Sequence, residues 1–272
     1  MPKVRFRDVI KTLARSRSIA FTRDIVRQQR SESLGKIRWN GRTVSYRPGT
    51  TDPLVLQQVL LKKGKKAEYY LPPDLNPKLI VDIGSNVGAS VLYFHSLFPK
   101  ARILGFEPHP DTFGILQLNV ANLPSVTVFN CGLGAANRRV TVPGESINYG
   151  AFSTFDRLRG QKQRESVECE IRRLDDVLRE LQIDKVDLIK IDCEGAEADV
   201  FAGLSPAMLQ RCQWIVGELH DASAFALLAR LASQFDLDLK KRMFSPFFRF
   251  HACNISGAEQ FREKLDVDAL QR

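Results

Sequence analysis

From residue 79 onward, short unbroken apolar runs alternate with longer stretches whose apolar residues recur every third or fourth position. Leu79–Ile83 is such a run, bounded by turn residues, and predicts a buried strand. Residues 87–98 place Val87, Val91, Phe94 and Phe98 at helical spacing and stop before Pro99. Arg102–Phe106 predicts a second strand, residues 111–122 a second helix with Phe113, Leu116 and Val120 on one stripe, and Val126–Phe129 a third strand. Val186–Ile191 and Trp214–Leu219 are further buried strands, each followed by a helix-like segment. Strands separated by helices predict an α/β domain: a doubly wound, mostly parallel sheet covered by helices on both faces.

Elsewhere this rhythm is interrupted. Residues 35–50 predict short strand pieces joined at Asn40-Gly41, a dipeptide suited to hairpin turns. Lys62, Lys63, Lys65 and Lys66 bracket Gly64 and fit a solvated helix end, and Pro72, Pro73 and Pro77 mark a connection. Residues 137–171 hold short alternating pieces and the polar run Arg157–Ser166, the pattern of an inserted hairpin and loop. Phe247–Cys253 alternates aromatic and polar residues, as one antiparallel edge strand would. The chain therefore divides into a basic N-terminal arm with short strand pieces over 1–45, a main domain over 46–254 and a C-terminal helix over 255–272.

A chain of 272 residues, 44% hydrophobic and 26% charged, has enough apolar material for a sizeable core. That composition excludes a disordered chain, a collagen-like repeat and a disulfide miniprotein. No apolar run approaches the roughly 20 residues of a membrane-spanning helix. The net charge of +9 suggests a polyanion binder until its position is considered. Residues 1–30 contain nine Lys or Arg against two Asp, so they carry +7 of it, and everything beyond Arg30 carries +2. The arm lacks the apolar core of a secretory signal, and an amphipathic helix packed on the domain is the preferred reading. An organellar transit peptide, or a peripheral grip on an anionic surface or nucleic acid, shares that composition. No segment matches a nucleic-acid recognition module. Cys131, Cys169, Cys193, Cys212 and Cys253 are scattered, with no C-x-x-C pair, which argues against a disulfide framework or zinc knuckle and fits a reducing, cytoplasmic compartment.

Ligands in an open α/β sheet bind beyond the carboxyl ends of the strands. The first strand ends in Asp82-Ile83-Gly84-Ser85-Asn86-Val87-Gly88, where Gly84 permits a tight turn and Gly88 a close approach of helix to strand or ligand. The second ends in Glu107, 25 residues after Asp82, where an acid can accept both hydroxyls of a ribose. Dinucleotide folds use G-x-G-x-x-G, whereas this loop is G-x-x-x-G preceded by a carboxylate. Such a carboxylate repels a pyrophosphate and suits a cationic amino-acid moiety. S-adenosylmethionine joins that moiety to a ribose, and is favoured over NAD.

A second constellation is Asp187-Leu188-Ile189-Lys190-Ile191-Asp192-Cys193-Glu194-Gly195-Ala196-Glu197. An extended strand puts Lys190, Asp192 and Glu194 on one face, where mutual pairing would offset the cost of burial, and Glu197 follows one helical turn on. Acids opening a helix would account for the carboxylates alone. A lysine inside an apolar strand points instead to an active-site wall.

With VDIGSNVG, FPKARILGFEP and DLIKIDCEGAE, the chain resembles the FkbM-type family of S-adenosylmethionine-dependent methyltransferases over about residues 46–220. Upstream, Arg47-Pro48-Gly49-Thr50-Thr51-Asp52 is similar to that family's R-x-G-T-x-D segment. The resemblance implies a class I methyltransferase, Rossmann-like fold and methyl transfer to a hydroxyl of a sugar or secondary metabolite. It also implies that Asp82, Gly84, Asn86 and Gly88 hold the methionine part, Glu107 the ribose, and Cys131-Gly132 the adenine edge.

An alcohol acceptor must lose a proton as the new bond forms, so a general base is required. Candidates are Asp192 and Glu194 after the fourth parallel strand, Glu218 and His220 on the fifth, and Asp52 upstream. No metal ligand is assigned, although Asp192, Glu194, Glu218 and His220 form an alternative set for a divalent ion that polarises a diol. His95 and His251 read as structural, and His109 as a neighbour of the ribose. The aromatic group Phe244, Phe247, Phe248 and Phe250 reads as core or dimer contact. Two rivals to a small-molecule enzyme are a nucleic-acid-directed methyltransferase using the arm, and a non-catalytic scaffold that retains the cofactor pocket.

Overall fold

The computed structural model describes residues 6–62, 64, 67–143, 166–220, 224–241 and 248–255. Two helices, α1 (Phe6–Ser16) and α2 (Ile19–Arg27), precede a hairpin of β1 (Gly35–Trp39) and β2 (Arg42–Tyr46), which turns at Asn40-Gly41 as predicted. After α3 (Asp52–Leu60) the parallel sheet begins: β3 (Leu79–Ile83), α4 (Ala89–Leu97), β4 (Arg102–Phe106), α5 (Pro110–Val120) and β5 (Val126–Phe129). A small sheet follows, with β6 (Gly132–Leu133), β7 (Arg138–Pro143) and β8 (Ser166–Arg172), and β7 and β8 form the antiparallel insertion expected there. The chain continues through α6 (Leu174–Glu180), β9 (Leu188–Ile191), α7 (Glu197–Ala202), α8 (Pro206–Arg211), β10 (Trp214–Leu219), α9 (Ala224–Ala232), β11 (Phe235–Lys241) and β12 (Phe248–Asn254). The helix expected over 255–272 and most of the Arg157–Ser166 run lie outside the described residues.

The main sheet has the order β11-β12-β10-β9-β3-β4-β5, and only β12 runs against its neighbours. Order reverses between β3 and β9, which places the carboxyl ends of β3, β4, β9 and β10 around one crevice. Side chains alternate across the sheet. Ile80, Ile103, Leu188 and Trp214 pack beneath α2–α5, and Val81, Leu104, Ile189 and Ile215 beneath α6–α9. Burial on both faces explains why these strands read as unbroken apolar runs.

One expectation changes. Phe248–Asn254 is not the sheet edge, because β11 pairs with it along its whole length and takes that position. The strand signal of β11 is present in the alternation Phe235-Asp236-Leu237-Asp238-Leu239. The first 45 residues pack on the main domain: Phe21, Ile25, Ile37 and Val44 share one cluster with Leu56, Phe94 and Leu116. Of the aromatic group, Phe250 is core and Phe248 half-buried, while Phe244 and Phe247 lie outside the described residues.

Candidate active site

The loop after β3 is clamped to β4. The backbone N–H groups of Gly84 and Ser85 both donate to the Phe106 carbonyl, and the Ser85 hydroxyl accepts from the Phe106 N–H at 3.1 Å. Gly84 has φ 76°, and a Cβ there would lie 2.1 Å from the Asp192 carbonyl oxygen, so the ends of β3 and β9 meet only because position 84 is glycine. Asn86 is also left-handed at φ 49°, a conformation asparagine tolerates better than most residues. Its N–H donates to Glu107 Oε2 at 3.0 Å, and the His109 N–H donates to Oε1 at 2.9 Å. Burial raises the Glu107 carboxyl to about 7 even against those two donors.

These groups open onto a cavity of about 550 Å³, within the usual range for small-ligand sites. Gly84, Ser85, Asn86, Glu107 and Pro108 form one side, and Gly132, Leu133, Val140 and Ile171 an apolar wall contributed by the small sheet. Tyr69, Lys190, Asp192, Glu194 and Glu218 line it as well.

Three residues expected to touch a cofactor do something else. Asp82 is fully buried, accepts from the Ser90 hydroxyl at 2.5 Å, and lies 3.2 Å from Lys190 Nζ. Lys190 therefore pairs with its register partner on β3 rather than primarily with Asp192 and Glu194. Its ammonium also donates to the carbonyls of Ile83 at 3.0 Å and Gly84 at 2.7 Å. Burial alone would favour losing the proton, yet Asp82 and Asp192 hold its pKa above the ordinary lysine value. Gly88 caps α4, where a Cβ would approach Leu116 Cδ1 to 2.9 Å, so it serves helix packing. Cys131 is buried and, like Asp82 and Gly88, is not among the described residues that line the cavity. Asp52 is also removed from the list of bases: it is buried and accepts from the Arg47 backbone N–H, Nε and Nη2. His109 is buried at the start of α5 and does not reach the described cavity wall.

The other four predicted residues do come together. His220 Nε2 lies 3.7 Å from Asp192 Oδ1, 3.5 Å from Glu194 Oε2 and 3.9 Å from Glu218 Oε2. Its Nδ1 lies 2.9 Å from Glu197 Oε1, and that oxygen also accepts from the N–H groups of Cys193 and Gly195. Glu197 thereby braces the turn that holds Glu194 in a left-handed conformation, φ 55°. A non-glycine residue held there costs on the order of 1–3 kcal/mol, and such strain concentrates at functional sites. Burial would lower the His220 pKa, but the bond to Glu197 and the charges of Asp192 and Glu194 raise it to about 9. Burial and the neighbouring Asp192 raise Glu194 to about 7.

The sequence reading missed two contributors, Tyr69 and Arg249. Tyr69 donates its hydroxyl to Asp192 Oδ2 at 2.6 Å across 123 residues of chain. Arg249 on β12 donates to Glu218 Oε1 at 2.8 Å and also pairs with Glu68, which Lys62 meets at 3.1 Å. Glu197 was visible in the sequence only as an acid one turn beyond Glu194. Neither Tyr69 nor Arg249 sits in a motif, so no local pattern marks them. Asp192, Glu218 and His220 have ligating atoms within 4.8 Å of one another.

Residues 82–241, more than half of the chain, match the family model described as the methyltransferase FkbM domain. The chain belongs to that family. Methyltransferase 1 of Beauveria bassiana is 32% identical over 172 residues, covering 57% of this chain and 69% of that protein. The 2-O-methyltransferase NoeI of Sinorhizobium fredii is 29% identical over 159 residues, covering 54% of this chain and 65% of that protein. AMB antimetabolite synthetase AmbE of Pseudomonas aeruginosa is 31% identical over 254 residues, 74% of this chain but only 11% of that much longer protein. The matched FkbM segment contains every sheet-end group described above except Tyr69, Glu68 and Arg249. Among the described residues, no helix is long and apolar enough to cross a membrane.

Proposed function

We propose that the chain is an S-adenosylmethionine-dependent methyltransferase that methylates a hydroxyl of a sugar or secondary metabolite. The observation that carries this reading is a cavity lined by both an oriented ribose-type acid, Glu107, and a poised carboxylate, Glu194. The residues fit the cofactor. Glu68, Glu107, Asp192, Glu194, Asp199 and Glu218 face the cavity against Arg138 and Lys190, a balance that favours a cationic ligand. Gly84 and Asn86 would hold the methionine part, Glu107 the ribose, and the apolar wall from Pro108 to Ile171 the adenine.

Bound there, the cofactor supplies an electrophilic methyl on a sulfonium. In-line displacement requires the acceptor oxygen to be fixed behind that methyl and water to be excluded. Glu194, raised to about 7, is matched to removing the hydroxyl proton near neutral pH, as the oxygen–carbon bond forms and the carbon–sulfur bond breaks. Asp192, fixed by Tyr69, provides the neighbouring charge that keeps Glu194 basic. His220 and Arg249 balance the acids from behind, and Glu218 helps seat the acceptor. The choice of a hydroxyl acceptor draws on NoeI, whose name assigns it 2-O-methylation.

Calorimetry with S-adenosylhomocysteine, followed by transfer of labelled methyl from S-adenosylmethionine to a panel of hydroxylated sugars and metabolites, tests the reading. Binding with label recovered as a methyl ether is expected. No binding at millimolar ligand removes the cofactor assignment. Binding without transfer to any acceptor favours a scaffold, and transfer to RNA or DNA favours the nucleic-acid reading.

A further inference from the structure

The first two helices leave several apolar residues in solvent while burying small polar ones against the protein. On α1, Thr12 and Ser16 are buried, Thr12 accepts from Gln57 on α3, and Arg15 donates to the Leu61 carbonyl at 3.0 Å. Ile10 and Leu13, on another face of the same helix, are 53% and 40% exposed. On α2, Phe21 and Ile25 enter the core, while Ile19 is 79% and Val26 49% exposed. Four aliphatic side chains thus stand in water on two consecutive helices. Single exposed aliphatics are ordinary, but a group of this kind on adjoining helices marks an interaction surface.

Its surroundings are cationic. Arg23, Arg27, Arg30 and Lys36 line an open depression of about 500 Å³ beside α2, and the carboxylate within it, Asp24, is occupied by Arg23 and the Tyr46 hydroxyl. Residues 1–30 as a whole carry nine basic residues against two acidic ones. We propose that α1, α2 and this depression form a docking surface for an anionic lipid bilayer. Ile10, Leu13, Ile19 and Val26 would enter the headgroup layer, and Arg23, Arg27, Arg30 and Lys36 would meet lipid phosphates. Basic amphipathic helices lie in the membrane plane by this combination of apolar burial and charge.

Charge and chemistry decide among occupants. A nucleic-acid backbone would use the cations and leave the four aliphatic residues with no role. A two-fold contact with a second copy would set one strongly basic surface against another. The proposal is independent of the methyltransferase reading, because no residue of this surface lines the cavity between β4 and β10.

The test is co-sedimentation of the full chain with vesicles of phosphatidylcholine alone, and of phosphatidylcholine with about one third phosphatidylserine. Binding to the anionic vesicles only, falling as salt is raised, is expected. The Arg27→Gln/Lys36→Gln pair should lower partitioning about 25-fold, at roughly fivefold per basic residue. The Ile19→Ser/Val26→Ser pair should lower it at least tenfold with an unchanged melting temperature, because both side chains lie outside the core. Equal binding to both vesicle types, or none to either, overturns the proposal. Tighter binding to duplex RNA that depends on Arg27 and Lys36, or a dimer that Ile19→Ser/Val26→Ser dissolves, overturns it as well.

Discussion

Asp82 and Asp192 stand at the carboxyl ends of two adjacent parallel strands, β3 and β9, and their environments differ sharply. Asp82 lies inside the sheet, with the Lys190 ammonium 3.2 Å away and the Ser90 hydroxyl on its other oxygen. Asp192 lies just past the end of β9, half-buried at the cavity, bonded to Tyr69 and clustered with Glu194 and His220. A position at a strand end is therefore not sufficient to make an acid available to a ligand. Asp82 is consumed by a lysine at the same level of the neighbouring strand, and that lysine also ties together the Ile83 and Gly84 carbonyls. One strand end uses its charge to hold the loop geometry, and its neighbour leaves a carboxylate facing the cavity.

Substitution at Glu194 should produce the largest effect on this contrast. Loss of a general base typically costs 10²–10⁴ in rate. Glu194→Gln is expected to lower kcat by about that factor while S-adenosylhomocysteine still binds in calorimetry. Asp192→Asn should instead move the acidic limb of the kcat/KM profile below pH 7, because the charge that raises Glu194 is gone. If Asp192→Asn abolishes turnover at every pH and Glu194→Gln does not, the two roles are reversed.

The structural side of the contrast is tested at Lys190. Lys190→Met leaves the Asp82 carboxylate buried without its ammonium, a change that costs about 3–5 kcal/mol. Urea denaturation should show a loss of that size. Pairing Lys190→Met with Asp82→Leu should recover most of it, since an apolar pair removes both charges together. A Lys190→Met protein of wild-type stability would mean that the pair contributes nothing to the fold.

Stability above neutral pH reports on His220. Its folded pKa of about 9 lies above the unfolded value of 6.5, so its contribution is complete below pH 6.5 and is lost as pH rises through 9. Glu107 and Glu194, raised from 4.5 to about 7, lose stability for the folded state between those values and are flat above them. The cysteine thiols, which burial raises above 9.0, add a decline of the same sign toward the alkaline end, so the histidine is isolated by comparing wild type with His220→Gln from pH 7 to 9.5. Denaturation at successive pH values should show wild type losing on the order of 2–3 kcal/mol more than His220→Gln across that range. Parallel curves for the two proteins would mean that the imidazole is neutral at pH 7.

The same contrast explains what could be read from the chain alone. Strands β3, β4 and β5 have the boundaries predicted for them: burial on both faces leaves no polar gap in β3 and only the exposed Arg102 at the start of β4, while the half-buried edge strand β5 is marked by its β-branched residues. The group Asp192, Glu194, Glu218 and His220 was found because the strand ends themselves are legible. By contrast, β11 is half charged, so its alternation is easily taken for a polar loop. The Asp82–Lys190 pair depends on register between strands 108 residues apart, and Tyr69 reaches Asp192 from a segment with no regular pattern. Contacts of that kind are set by topology, and short-range periodicity carries no trace of them.

Tyr69 gives the smallest and most discriminating effect. Its hydroxyl is buried against Asp192, and burial together with that carboxylate raises its pKa well above the ordinary tyrosine value, so it remains a donor throughout the working range. Removing one hydrogen bond to a charged group costs about 1.5–3 kcal/mol where the partner is left buried, and less where it stays half in solvent, as Asp192 does. Tyr69→Phe keeps the ring that packs on Phe94 and faces the Lys190 ammonium, so the melting temperature should change little. With Asp192 released from one partner, kcat should fall about three- to tenfold, and the acidic limb of the pH profile should shift, with KM for the cofactor unchanged. A shift in the profile assigns Tyr69 the positioning of Asp192. A fall in melting temperature with no shift assigns it to packing, and the contrast between the two strand ends would then need no partner from outside the sheet.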